Sequence, residues 1–368
     1  MSRIGIDARM AHEFGIGTYV CGLLDQFAAL DTRNQYVLFG DVARLRRRFG
    51  DRFALVAAHS GKYSLRQQIE LPRLIRRAGV DLFHSPHYVV PARAGVPVVV
   101  TVHDLVHLRR DLRPGVKHWL ASVYARALIG AAVRKARRVI TGAHAAQREI
   151  ETEFPVAIGK TIVIHHGADG ATQHNGGVEP ARVDAFRRTH GLTRPLVLFV
   201  GNPKPHKNLP AVLATLAELK RRGRRARLAL VGSSPEAVRD LIAAQDLADD
   251  VVALGYLPDD EMPLAYAAAD VLLFPSLCEG FGLPPLEAMA ASIPVVTSNV
   301  STLPEVVGDA ALTVDPRDVG ALADAVGRVL DDADLRRELV ARGHERLRHF
   351  TWRRSAEAHL ALYEDVLN

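Results

Sequence analysis

The chain has few cysteines: Cys21 and Cys278 stand far apart, with no metal-ligand spacing around either. That excludes a disulfide framework and a cysteine-ligated zinc site, and it suits a reducing compartment such as the cytoplasm. Aromatic residues make up 6 % of the sequence and do not punctuate its basic runs. The stacking platform of a nucleic-acid binder is therefore missing, and no nucleic-acid partner is expected. Long uncharged runs are missing too. The longest weakly charged stretch, WLASVYARALIGAAV from Trp119 to Val133, holds Arg126 and is shorter than the roughly 20 residues that span a bilayer. No transmembrane helix is expected. The opening MSRIGIDARM passes straight into a strand-like run, without the basic, apolar, small-residue order of an export signal.

Acidic residues are scarce in the first half only. Through His190, 28 Lys and Arg face 16 Asp and Glu, and the remainder holds 19 and 25, so the net charge of +6 conceals a basic first half and an acidic second. The basic residues cluster in RLRRRFG, LPRLIRRAG and VRKARRV. Two readings stand side by side. One is solvated helix faces with snorkelling arginines. The other is a surface for anionic lipid head groups, which would place a cytoplasmic protein at the inner face of the membrane.

Apolar β-branched runs are plentiful. RIGID, QYVLFG, FALVAA, DLFHSP, VPVVVTVHD, RVITGA and TIVIHHG alternate with amphipathic segments, and after GADGATQHNGGVEP a second series follows: PLVLFVG, RLALVG, VVALGYL, DVLLFPS, IPVVTSN and ALTVDP. Continuous apolar strands separated by helices predict an α/β class with parallel sheets covered on both faces. The 368 residues suffice for two such doubly wound domains. The expected boundaries are 1–170 for the first, 171–192 for a linker, 193–350 for the second and 351–368 for a terminal helix.

Ligands of such sheets sit beyond the carboxyl ends of the strands, which directs attention to the residues just after them. Gly15-Ile16-Gly17 follows the first strand but lacks the third glycine and the tight turn of a dinucleotide fingerprint. It reads as a simple turn or as a glycine loop approaching a phosphate or sugar. His103 and Asp104 end the fifth run, where a histidine serves either structure or a sugar hydroxyl. In VGNPKPHKNL, Lys204 and Lys207 precede a helix expected to be capped by Asn208, an arrangement suited to a diphosphate if the lysines are not simply solvated. In LCEGFGLPPLEAMAAS, Gly280 and Gly282 bare backbone N–H groups at a helix start, with Pro284 and Pro285 in the first turn. Glu279 on that loop and Glu287 about one turn into the helix can each accept a pair of vicinal sugar hydroxyls.

CEGFGLPPLEAMAASIPVV, with STLPEVVGDAALTVDP and VGNPKPHKNL, resembles glycosyltransferase family four, the retaining GT-B enzymes that include many bacterial mannosyl- and glucosyltransferases. The likeness extends through GIGTY, TVHDL and the terminal TWRRSAEAHLALY. It implies two Rossmann-like doubly wound domains facing an interdomain cleft, with the last helix crossing back to the first domain. It implies that Glu279 binds the transferred sugar and Glu287 the ribose, with the backbone of Gly280, Phe281, Gly282 and Leu283 on sugar hydroxyls and the distal phosphate. Lys207 would hold the diphosphate, Gly17 would approach a phosphate, His103 would contact the donor sugar, and the base would lie near Tyr256. Asn202 stands where many members have Arg, and Lys204 could restore that charge. Ser292 replaces a glycine common after the motif helix. The implied activity is metal-independent, cofactor-free hexosyl transfer with retention, from GDP-mannose or a UDP-sugar to a saccharide or polyprenyl-linked acceptor in lipopolysaccharide or exopolysaccharide assembly. A GT-B nucleotide-sugar epimerase is the alternative.

Overall fold

The computed structural model describes residues 1–13, 15–61, 64, 66–112, 115–169 and 178–368. Two compact units are present: Met1–Gly167 with Thr351–Asn368, and Ala168–Phe350.

In the first unit, strands β1 (Arg3–Asp7), β2 (Gln35–Gly40), β3 (Ala54–Ala57), β4 (Leu82–Ser85), β5 (Val98–Thr101), β6 (Arg138–Thr141) and β7 (Thr161–Val163) form one sheet in the order β3-β2-β1-β4-β5-β6-β7. Every pairing is parallel. The helices are α1 (Ile16–Leu30), α2 (Val42–Phe49), α3 (Gln67–Ala78), α4 (Val116–Lys135) and α5 (His144–Glu153). Side chains alternate strictly between two cores: Leu38, Leu82 and Val99 face one with α1 and α2, while Phe39, Phe83 and Val100 face the other with α3, α4 and α5. That double coverage is why the strands read as unbroken apolar runs.

The second unit repeats the plan. Strands β8 (Leu196–Val200), β9 (Arg227–Val231), β10 (Val251–Gly255), β11 (Val271–Phe274), β12 (Val295–Ser298) and β13 (Leu312–Val314) are ordered β10-β9-β8-β11-β12-β13, again all parallel. Its helices are α6 (Pro180–His190), α7 (Leu209–Arg221), α8 (Pro235–Ala243), α9 (Met262–Ala268), α10 (Leu283–Ala290), α11 (Leu303–Val307), α12 (Val319–Asp331) and α13 (Ala333–Leu347). Each apolar run singled out in the sequence is one of these thirteen strands.

The span 171–192 is not simply a linker. Residues 170–177 lie outside the described set, but Pro180–His190 is helix α6, whose Val183 and Phe186 are buried in the second core. Turn-forming composition upstream masks this helix, because only two of its side chains carry the apolar signal.

The terminal helix α14 (Trp352–Leu367) belongs to the first unit, capped by Thr351 Oγ1, which accepts from the Arg354 N–H. Trp352 fits because Gly22 and Gly167 have no side chains; a Cβ at either would collide with the indole.

Candidate active site

In each sheet the strand order reverses at the first strand: β1 lies between β2 and β4, and β8 between β9 and β11. Loops leaving the carboxyl ends of β8 and β11 therefore start side by side at a topological switch point, where ligands of such sheets bind. They are the lysine turn and the Gly-rich turn.

The two loops are tied by backbone and side chain. Leu277 N–H donates to the His206 carbonyl at 2.7 Å. Asn208 Nδ2 donates to the carbonyls of Pro275 (3.0 Å) and Pro316 (2.8 Å). The expected side-chain cap at Asn208 is not made: the residue occupies the cap position of α7 in a left-handed conformation (φ 58°), and its amide is spent joining loops.

Lys207 Nζ donates to both carboxylate oxygens of Glu279, at 2.7 and 3.0 Å, and lies 5.1 Å from the Phe274 ring centroid. The two side chains are only 17 % and 10 % exposed, so this pair is poorly screened by solvent. The Glu279 loop is pinned from below: its N–H donates to Ser301 Oγ (3.1 Å), and Thr302 Oγ1 donates to the carbonyls of Glu279 (3.2 Å) and Phe281 (3.1 Å). Gly282 begins α10 at φ 101°, and a Cβ there would lie 2.6 Å from Leu303 Cδ2, so glycine is required twice over. Gly280, Phe281, Gly282 and Leu283 thus lead into a helix N-terminus, a place where N–H groups and the dipole favour anions.

Glu287, half-buried on α10, accepts from the Tyr266 hydroxyl at 2.6 Å. Burial pushes its carboxyl pKa up, opposed by the Tyr266 hydrogen bond and the Lys207 charge. Asn202, after β8, has a buried Oδ1 with no partner. Such an acceptor is costly unless a ligand hydroxyl reaches it, or a phosphate oxygen if the amide is turned over. Lys204 is exposed on the turn and takes no part in the Lys207–Glu279 pair. Tyr256 follows β10 and is also exposed. Ser292, where a glycine is common, adopts φ 60° and bonds His344 Nε2 at 2.9 Å. The left-handed turn after α10 explains the usual glycine.

His103 and Gly17 belong to the first unit. His103 lies two residues beyond β5, and its Nε2–H donates to the Pro86 carbonyl at 3.0 Å, leaving Nδ1 as an acceptor. Burial lowers its pKa, with Asp104 and the Pro86 bond pulling the other way, so the ring is neutral. It stands edge-on to Tyr19, centroids 5.0 Å apart. Gly17 N–H is engaged by the Glu13 carbonyl (2.6 Å), and a Cβ there would lie 2.8 Å from the Ala11 oxygen. Close backbone packing therefore already demands this glycine.

Tyr19 opens a chain of buried hydrogen bonds with one consistent direction. His359 Nδ1–H must donate to the Ser355 carbonyl (2.7 Å), so its Nε2 accepts from Tyr19 (2.7 Å). Tyr19 then accepts from Thr101 (2.9 Å), Thr101 from His84 Nε2 (2.8 Å), and His84 Nδ1 from Tyr363 (2.6 Å). Tyr266 escapes sequence reasoning because it lies in no motif; Ser301, Thr302, Tyr19, Thr101, His359 and Tyr363 lie in stretches that carry the family likeness, but their hydrogen bonds to partners distant in sequence are not legible there.

Two family models match: Glycosyltransferase Family 4 over residues 15–171 and Glycosyl transferases group 1 over residues 182–346. O-antigen chain mannosyltransferase B of Escherichia coli is 37 % identical over a segment covering 42 % of this chain and 42 % of that protein. An MMP alpha-(1->4)-mannosyltransferase from Mycolicibacterium hassiacum is 30 % identical over 75 % of this chain and 67 % of its own length. A D-inositol 3-phosphate glycosyltransferase from Acidothermus cellulolyticus is 31 % identical over 78 % and 67 %. Among solved structures, sucrose-phosphate synthase from Thermosynechococcus elongatus superposes with a TM-score of 0.79 at 22 % identity, covering 100 % of this chain and 99 % of that one. Anabaena HepE in complex with UDP and glucose gives 0.77 at 21 % identity, covering 99 % of each chain. At these identities the structural likeness speaks for the fold, which is GT-B. By sequence, the chain belongs to glycosyltransferase family four.

Proposed function

We propose that this glycosyltransferase moves a hexosyl group, with retention and without a metal, from a nucleoside-diphosphate sugar to a lipid-linked or polysaccharide acceptor. GDP-mannose is the favoured donor, and lipopolysaccharide or exopolysaccharide assembly the favoured setting. The observation that carries the reading is the Lys207–Glu279 pair beside the Gly-rich start of α10, at the switch point of the second sheet. An ammonium has three donor protons. With two directed to Glu279, the third is left for a diphosphate oxygen, so one lysine both orients the carboxylate over the sugar hydroxyls and meets the leaving group.

In this mechanism the departing diphosphate gains charge as the glycosidic bond breaks, and Lys207 with the N-terminus of α10 stabilises that charge without rearranging. The diphosphate takes the proton of the incoming acceptor hydroxyl on the same face, which retains configuration. Glu287 holds the ribose diol, and His103 accepts from a donor-sugar hydroxyl through Nδ1. Asn202 and Lys204 share the place of the arginine common in the family. Support for a mannosyl donor is the mannosyltransferase relatives from Escherichia coli and Mycolicibacterium hassiacum. Support for a UDP-sugar as second reading is the UDP bound in Anabaena HepE. The test is donor hydrolysis and transfer across GDP-, UDP-, ADP- and dTDP-sugars with and without chelator, reading product anomeric configuration by NMR. Chelator-resistant transfer from GDP-mannose giving the α-anomer is expected; inversion, or activity that requires added magnesium, would refute the mechanism.

A further inference from the structure

Helix α4 divides into two halves of different character. Its second half is committed to the core through Ile129, Ala132 and Val133. Its first half has only the small residues Ser122 and Ala125 buried. Val116, Trp119, Leu120, Val123 and Tyr124 are instead 45–74 % exposed. At 3.6 residues per turn these five and the exposed Ala127 occupy an arc of roughly 140°, opposite the buried Ser122 and Ala125. Exposed Lys117 and Arg126 mark its two edges.

The helix has no acidic residue in its 20 positions and carries Lys117, Arg126, Arg134 and Lys135. Arg126 pairs with Glu153 from α5, which leaves the helix cationic. We propose that the outward face of 116–127 lies in the interfacial layer of an anionic bilayer. Its aliphatic side chains and Trp119 would enter the head-group boundary, with the basic edge residues on lipid phosphates. Trp and Tyr favour that boundary, where one end of the ring is apolar and the other wet. The basic edges select the occupant: a second copy of this face would set like charges against each other, whereas anionic lipid neutralises them. Because the second half of α4 is held in the first core, the helix rests on the surface and does not cross it. The inference is independent of the donor assignment, since membrane binding is measured with neither donor nor acceptor present.

The test is co-sedimentation of the full chain with phosphatidylcholine vesicles, and with vesicles holding about one phosphatidylglycerol in three lipids. Tryptophan emission is followed in parallel; Trp352 is buried and supplies a constant background, so a shift reports Trp119. Binding to the anionic vesicles only, with a blue shift and weakening at high salt, is expected. Leu120→Ser with Val123→Ser should lower partitioning at least about tenfold at unchanged melting temperature, and Lys117→Glu should lower it at low salt. Equal binding to both vesicle types, no binding, or variants that partition like the wild type would overturn the proposal. Self-association through this face without vesicle binding would do the same.

Discussion

Lys207 is bonded to both carboxylate oxygens of Glu279, and the proposed mechanism gives it a second task, meeting a phosphate. Its loss should therefore cost more than a simple phosphate contact. Lys207→Met is expected to lower kcat/KM by at least about a hundredfold, the range for removal of a transition-state charge partner, and Lys207→Arg to recover part of it. Steady-state kinetics on both variants check this; equal loss in the two would tie the defect to the fold. Tyr266→Phe tests Glu287. Burial already raises that carboxyl's pKa, and the phenol is one of the groups holding it down. Removing it should raise the donor KM roughly tenfold with little change in kcat, and more at pH 6 than at pH 8, because protonation removes the acceptors a ribose diol needs. The two glutamates and the lysine are legible in the sequence, since loop glycines, helix prolines and carboxylates stand within one short stretch. Tyr266 is not, because it reaches Glu287 from 21 positions away.

At the level of elements, α10 is placed by its glycine and α14 by its histidine. Gly282→Ala forces a left-handed residue into contact with Leu303 and should destabilise by about 1–3 kcal/mol, visible as a lower melting temperature. For α14, the fully buried His359 must stay neutral to accept from Tyr19, and burial depresses its pKa to about 4. His84 is depressed in the same direction, also by burial. Unfolded, each would titrate near the ordinary value of 6.5, so the unfolded chain binds more protons between about 6.5 and 4. Stability should accordingly be full above that window and fall as pH drops through it, by about 3 kcal/mol for His359 alone. His359→Gln should flatten that slope in melting temperature against pH. The element boundaries at 180–190 and the role of Asn208 were the least legible, because a short helix with two buried residues and a loop-bridging amide are both decided by tertiary contacts.

Over the whole molecule, the duplicated doubly wound plan was readable because the nine inner strands, buried on both faces, leave little polar alternation, while the edge strands β3, β7, β10 and β13 are only partly covered. The same plan brings the two loops of the site together: β8 and β11 are neighbours, although the paired residues Leu198 and Leu272 stand 74 positions apart in the chain. The exposed apolar face of α4 was half-legible, as a weakly charged run too short to span a bilayer; which of its residues point outward depends on how the helix docks. The most direct test of the central claim is calorimetric titration of GDP-mannose and UDP-glucose into the wild type and into Lys207→Met and Glu279→Ala. The account predicts saturable binding of one nucleotide sugar that falls at least about tenfold in both variants. Undiminished binding in both would contradict it and move the donor site away from the paired loops.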